Sequence, residues 1–306
     1  MKKTSVILKV AFLASLCLVT LGLTACGGKT LTREQKITDD FKTIEIDTDT
    51  SDVTILPSED GECKVVCIET EKISHTAIVR DGKLIIGVSD TRNGLEKLSA
   101  PKMSVAVYLP RSEYSALTAE TDTGAISIDG DFTFDTVNIE SDTGKITVKG
   151  IECAALFADL DTGNMMIHDV SSSRLIKLES DTGNAVIGNC TAEEVYIDTD
   201  TGKVNIDTCG CTFLGISVDT VDIGLVNVIA EGKFDIVSNT GDVRFTSCDA
   251  ASVFVTTDTG DVKGSFLTDK VIFADTDTGK VEIPKLTSGD KCEITTDTGD
   301  IKITIN

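Results

Sequence analysis

Tryptophan is absent from this 306-residue chain and aromatic residues make up only 5% of it, while Gly, Thr, Asp, Val and Ile dominate, a mixture that suits many short strands joined by tight turns. Histidine is nearly absent too. His75 and His168 stand in unrelated positions, and no Ser/His/Asp set, phosphate-cradling glycine loop or Cys-x-x-Cys knuckle accompanies them. That argues against nucleophilic catalysis and against a zinc site. Basic residues are scarce, with 28 Lys and Arg against 50 Asp and Glu, for a formal charge of −22. Such a body is repelled by polyanions, which excludes nucleic acid as a partner. No cofactor is expected.

What fills the chain is a repeat. An Asp-Thr-Gly corner, as in "ESDTGKITV" (Glu140 to Val148), returns with its glycine at positions 124, 144, 163, 183, 202, 241, 260, 279 and 299. Val221 stands where the 39-residue gap should hold a glycine, so the period of 19 to 20 residues never slips. A period held this long is the signature of a solenoid. Seven and five residues before the glycine lie apolar pairs such as Val137/Ile139 and Val195/Ile197. Two and four after it lie Ile146/Val148, Val204/Ile206 and Val281/Ile283, and the residues between are polar. Period-two alternation on both sides of a turn predicts two half-buried strands per copy. A further apolar residue seven after the glycine (Ile151, Val170, Cys190, Cys209, Val228, Cys248, Leu267, Leu286) is expected to plug a second corner. The strands recur in one sense, which predicts an all-β, parallel β-solenoid of about ten rungs, right-handed by the crossover rule. Asp suits the corner as a local acceptor, Gly as a residue free to take positive φ, and Val221 calls for a different turn.

The N-terminus reads as an address. Lys2, Lys3 and Lys9 precede or interrupt an apolar run, Val6 to Leu23, that ends in Leu23-Thr24-Ala25-Cys26-Gly27-Gly28. A basic start, an apolar stretch and small residues at a cleavage point make a secretory signal. The Leu-x-Ala-Cys ending resembles the lipobox of bacterial lipoproteins. That resemblance implies that Cys26 becomes the mature, diacylglyceryl-bearing N-terminus, anchored to the membrane on its extracytoplasmic face. A plain signal peptide or an uncleaved membrane helix is the competing reading. The expected organisation is a signal peptide over 1–25, a tether over 26–36, an N-terminal β segment over 37–115 and repeats over 116–306. Removing the three lysines of the first 25 residues takes the charge from −22 to −25.

Within 37–115, Phe41 to Leu56 fits one more copy, with Ser51 in the glycine position. Then "CKVVCIE", "HTAIVR", "KLIIGVS" and "MSVAVYLP" read as extra strands that cover the first end of the stack, with Asp81-Gly82 as a hairpin turn. A separate domain is the alternative. Paired strands about Asp-Thr-Gly, a "VYLP" strand before the regular copies and the lipobox resemble the bacterial putative-adhesin family of β-strand repeats, a domain of unknown function. That likeness implies an extended parallel β-solenoid on an exported protein.

Asp-Thr-Gly is also the aspartic-protease signature. That chemistry needs two loops facing across a cleft, whereas here they run in a row. Outward acids two and four before the glycine form a ladder: Glu140/Asp142, Asp159/Asp161, Glu179/Asp181 and Asp198/Asp200. Neighbours at rung spacing repel by about 0.9 kcal/mol even in bulk water, and Ca²⁺ is a cation that would relieve this. The competing reading is a solvated strip. Phe254 and Phe273 occupy an outward position on what the spacing takes as adjacent rungs, forming either a contact patch or a surface buried beneath residues 57–115. Of the cysteines after Cys26, Cys190 and Cys209 would sit in bridging range, either as a disulfide or as a buried thiol stack. Pairing is left open for these and for Cys63, Cys67, Cys153, Cys211, Cys248 and Cys292, and Cys209-Gly210-Cys211 is read as alternating faces. The function that follows is a non-catalytic, membrane-anchored binding or scaffold module contacting envelope glycan or protein. Alternatives are a sensory envelope lipoprotein or a Ca²⁺-dependent surface assembly.

Overall fold

The computed structural model describes residues 17–22, 30–93 and 102–306. Cys26 and residues 94–101 lie outside the described residues, as does most of the stretch read as a signal peptide. All secondary structure among the described residues is β.

The coil read at Phe41 to Leu56 forms β3 (Thr43–Thr48) and β4 (Asp52–Pro57). Each is flanked on both sides by parallel partners. β3 lies between β7 (Lys83–Asp90) and β9 (Glu113–Thr121), and β4 between β8 (Ser104–Leu109) and the start of β10 (Ile126–His168). Beyond β7 and β8 the pairing turns antiparallel through β6 (Ile73–Arg80) and β5 (Cys63–Glu69). β2 (Thr30–Ile37) then pairs with β5, and β1 (Cys17–Gly22) with β2. The extra strands therefore cap one end of the stack, and Asp81 and Gly82 turn β6 into β7 with φ of 51° and 74°. β1 falls within the stretch read as the signal peptide.

From β10 onward the chain winds as a parallel solenoid through β11 (Ser171–Thr191), β12 (Glu194–Thr240) and β13 (Val243–Thr259). Partners are one repeat apart, as in Leu156↔Ile176↔Val195. The inward pairs before the glycines and the +2/+4 pairs of these coils are at most 2% exposed. They form one continuous aliphatic column, which no single coil could bury alone.

Glycine is required at the corner for a reason the turn reading missed. Gly163, Gly183, Gly202 and Gly241 do hold φ between 142° and 153°, but Gly124, Gly144 and Gly260 do not share it. What they share is crowding. A Cβ at any of these glycines would lie closer than 3.0 Å to a backbone carbonyl of the neighbouring coil. Val221 escapes by keeping φ out of the positive region and turning its side chain inward, 1% exposed, beside the equally buried Val218. The left-handed corner lies six residues after the glycine instead, at Asp169, Asn189, Thr208, Asn227 and Ser247, with φ of 51° to 59°. Asx residues tolerate that region best among non-glycines. Past that corner, period-two alternation puts Cys209 and Cys211 on the same, inward face, 2% and 6% exposed, so the two cysteines do not lie on opposite faces.

The end of the chain departs from sequential stacking. β17 (Asp290–Thr298) lies between β13 and β15 (Lys270–Thr278), and β18 (Ile301–Ile305) lies between β14 (Val262–Phe266) and β16 (Val281–Glu282). The last coil is thus wedged beneath its predecessor. Its inward set, Cys292, Ile294, Ile301 and Ile303, is at most 2% exposed, whereas Val281 of the displaced coil is 42% exposed. Leu267, expected to plug the second corner there, is 45% exposed. The displaced coil suits an edge, because Pro284 follows β16 and donates no ladder hydrogen bond. Lys270 locks the arrangement. Its buried Nζ reaches Asp249 Oδ1 (2.5 Å), Asp290 Oδ2 (3.1 Å) and the Ala250 carbonyl (2.8 Å), tying three coils together.

Two expectations follow. Gly183→Ala is expected to destabilise the chain by about 2–4 kcal/mol, because backbone must move to admit the methyl. Gly61→Ala, at a site with open space around it, is expected to cost only about 1 kcal/mol of turn strain, both read from denaturant midpoints. The coil order is checked by oxidative cross-linking. Val253→Cys and Ile272→Cys, both registered opposite Cys292, should each bridge to it. The double variant Val253→Cys/Ile272→Cys in a Cys292→Ser background should stay reduced.

Candidate functional site: the outward acidic face

Alternation that sends aliphatic residues inward sends the acids of each coil outward, and the parallel register aligns them. The first column runs Asp47, Glu120, Glu140, Asp159, Glu179, Asp198, with Asp47↔Glu120↔Glu140 and Asp159↔Glu179↔Asp198 as direct partners. Two residues on, Asp49, Asp122, Asp142, Asp161, Asp181 and Asp200 form the second. The ladder read from four coils therefore extends over six. Its first two coils were legible as "IDTDTS" and "AETDTG", but the 67 residues between them hid the fact that they touch.

Electrostatics on this face are strained. Burial and then the mutual repulsion of neighbouring carboxylates raise the pKa of Glu120, Asp159 and Asp198. Lys177 offsets this locally, 2.8 Å from Glu179. Beside the acids lie rings. Phe157 registers with Lys177, and Lys177 with Tyr196, whose ring packs at 5.1 Å on Phe213. Two shallow depressions result. One of about 310 Å³ is lined by Glu120, Glu140, Phe157 and Asp159, and one of about 300 Å³ by Tyr196, Asp198, Phe213 and Gly215.

Phe254 and Phe273 do not make the adjacent pair the spacing implied, because Glu293 of the wedged coil stands between them and registers with both. Phe254 is half-buried under the Lys233 and Lys291 ammonium groups, 4.5 and 4.8 Å from its centroid. Phe273 is 57% exposed on the terminal coil. Residues 57–93 sit at the opposite end and cover neither ring.

The eight cysteines after Cys26 are buried, and none of them is in a disulfide. Cys190 and Cys209 are in register as stacked thiols. Burial pushes Cys190 up to about 11 and Cys292 to about 12, which suits core filling. A hydrogen bond shared with Cys211 raises Cys209 and lowers Cys211.

One constellation escaped sequence reading altogether. His75 is 3% exposed, with Nε2 at 2.8 Å from Ser51 Oγ and Nδ1 at 3.4 Å from Glu69 Oε1. Glu69 also accepts from the His75 amide (2.6 Å) and from Arg33 Nε and Nη2 (3.1 and 2.9 Å). Burial alone would raise the Glu69 carboxyl, but the His75 and Arg33 contacts outweigh it and hold it at about 2. A serine, a histidine and a carboxylate thus meet in space, although no such set was visible in the sequence. Ser51 is 1% exposed, so no substrate reaches its hydroxyl in this arrangement.

The ladder generates a pH prediction. An acid whose folded pKa is raised binds protons more readily folded than unfolded, so it subtracts stability above the carboxylate range and regains it as pH falls through the raised value. The melting temperature is expected to rise as pH is lowered from about 7 towards 5. Asp159→Asn/Asp198→Asn should raise it at pH 7 and flatten the dependence, as measured by scanning calorimetry.

The fold has solved counterparts. A protein from Parabacteroides distasonis ATCC 8503, described as a putative lipid binding protein, superposes with a TM-score of 0.55 at 16% identity, over 78% of this chain and 97% of its own. A putative adhesin from Bacteroides fragilis NCTC 9343 is similar with a TM-score of 0.43, at 16% identity over 90% of this chain and 97% of its own. A second P. distasonis protein, also described as a putative adhesin, gives 0.40 at 14% identity, over 90% and 98%. No curated protein matches the chain. Residues 41–212, more than half of the sequence, match the Toastrack DUF4097 family, and the chain belongs to it.

Proposed function

We propose that this chain is a non-catalytic binding module of the bacterial cell surface, held to the membrane through a lipidated Cys26, and that its acidic and aromatic face contacts envelope glycan. The observation that carries this is the filled interior. Aliphatic side chains, with several buried phenylalanines and cysteines among them, fill the solenoid from β3 to β18, leaving its outer walls for recognition. On those walls, carboxylates in fixed columns accept hydrogen bonds from sugar hydroxyls, while Tyr196 and Phe213 offer a surface for the apolar face of a sugar ring. No helix among the described residues is long and apolar enough to cross a membrane. The lipid on Cys26 is the anchor in this reading. Cleavage before Cys26 would also remove β1 and open the edge of β2.

A second reading has its own support. The raised carboxyl pKa values along the ladder reflect in part uncompensated negative charge, which Ca²⁺ bridging between coils would relieve.

Sedimentation of the purified chain with isolated envelope glycan tests the first reading. Tyr196→Ala/Phe213→Ala is expected to weaken binding about tenfold or more. Turnover of the glycan would replace the binding role with catalysis, and unchanged affinity in the variant would move the contact elsewhere. Cys26→Ser is expected to shift the protein from the membrane to the soluble fraction. Millimolar Ca²⁺ that leaves the melting temperature unchanged removes the second reading.

A further inference from the structure

The polar cluster under the first corner contains more than a satisfied network. Cys67 and Glu69 lie two apart on β5, so both point inward, and His75 faces them from β6. Their ligand atoms, one thiol sulfur, one carboxylate oxygen and one imidazole nitrogen, all lie within 4.8 Å of one another, and all three residues are buried. A second, independent observation concerns His75. Its side chain is 0% exposed, yet Nδ1 makes no hydrogen bond. The other ring nitrogen is held by Ser51 Oγ at 2.8 Å. In the tautomer whose Nε2–H donates to that hydroxyl, the Nδ1 lone pair faces the Glu69 carboxylate 3.4 Å away and is open to a cation between them.

Arg33 supplies the cation now. Its Nη2 is 2.9 Å from Glu69 Oε1 and 4.0 Å from Cys67 Sγ, and it also bonds the His75 carbonyl. The guanidinium therefore stands beside all three ligands without satisfying His75 Nδ1. As a purely structural plug, the cluster would explain the Arg33–Glu69 pair. It would not explain why one nitrogen of that buried imidazole lacks a hydrogen bond beside a thiol.

We propose that Cys67 Sγ, the Glu69 carboxylate and His75 Nδ1 form a site for a divalent transition metal of the zinc type, with Arg33 as a resident cation that the metal displaces. Thiolate, imidazole and carboxylate are the ligand set this metal class takes, and an imidazole oriented by a hydrogen bond from its other nitrogen is the usual outer-shell arrangement. Ligand atoms of a tetrahedral zinc site lie about 3.5 Å apart; His75 Nδ1 and Glu69 Oε1 already stand 3.4 Å apart, so the Cys67 sulfur need close on them by about an ångström at most. Arg33, whose side chain is 19% exposed, marks the route of entry, and water fills the fourth position along it. Binding releases the Cys67 thiol proton to solvent.

Cobalt and zinc titration of the full chain under reducing conditions tests this. One equivalent of Co²⁺ should give a thiolate-to-metal charge-transfer band that Zn²⁺ bleaches, and Arg33→Met should tighten binding about tenfold or more by removing the competitor. The band should vanish in Cys67→Ser and weaken in His75→Ala. A measurement needing no variant accompanies these. In the unaltered protein, Zn²⁺ should slow alkylation of Cys67 relative to Cys63 on the same strand, as read by mass spectrometry. A band that survives Cys67→Ser, or no band in either the parent or Arg33→Met together with equal alkylation of Cys63 and Cys67, overturns the proposal.

Discussion

Close approach of one backbone to the next at the glycine corner governs this molecule. Each corner carbonyl occupies the space where a side chain of the next coil would begin, so coils settle at ladder spacing only because that side chain is missing. The corner therefore sets the register of both strands that leave it. From that register come the dry aliphatic column on one side and the aligned acids on the other. Beneath the corner sits a ring of small hydroxyls. Ser141 and Thr296 donate to the carbonyls of Gly124 and Gly260, while Ser180, Thr199, Ser238 and Thr257 are buried without a partner. At Val221 the hydroxyl and the glycine are exchanged together, for Val218 and Val221, and the core closes over the pair.

The two ends of the stack solve the open-edge problem differently. At the first end, antiparallel strands fold back over the parallel ladder, and the polar residues Ser51, Glu69, His75 and Arg33 terminate the corner column. At the other, the last coil is drawn inside and its predecessor is left at the rim, with Lys270 buried between Asp249 and Asp290 as the tie. A buried lysine is tolerable only when paired, so this tie specifies the wedged order over simple succession. The cost is an exposed rim, where Phe273 and Val281 meet solvent.

Rigid register is also what gives the outer face its character. Carboxylates that would spread apart on a flexible chain are kept at one coil's spacing, and burial together with their mutual repulsion raises the pKa of Glu120, Asp159 and Asp198. Rings interleaved with them make a surface that is polar enough to stay wet and apolar enough to hold a flat ligand. The polar cluster at the capped end is a separate matter, since it is enclosed and built from strands that do not repeat.

Period, alternation and the inward aliphatic positions were readable from the chain alone, because a solenoid writes its geometry once per copy. So were the all-β class, the extra strands after residue 57 and the outward direction of Glu140, Asp159, Glu179 and Asp198. Contacts between distant segments were not readable. The pairing of Asp47 with Glu120, the wedging of residues 290–305 beneath 270–282 and the meeting of Ser51, Glu69 and His75 depend on which coil lies against which. Spacing within a copy carries no information about that order, and the order is decided by how much apolar surface each candidate neighbour buries and which charges it pairs.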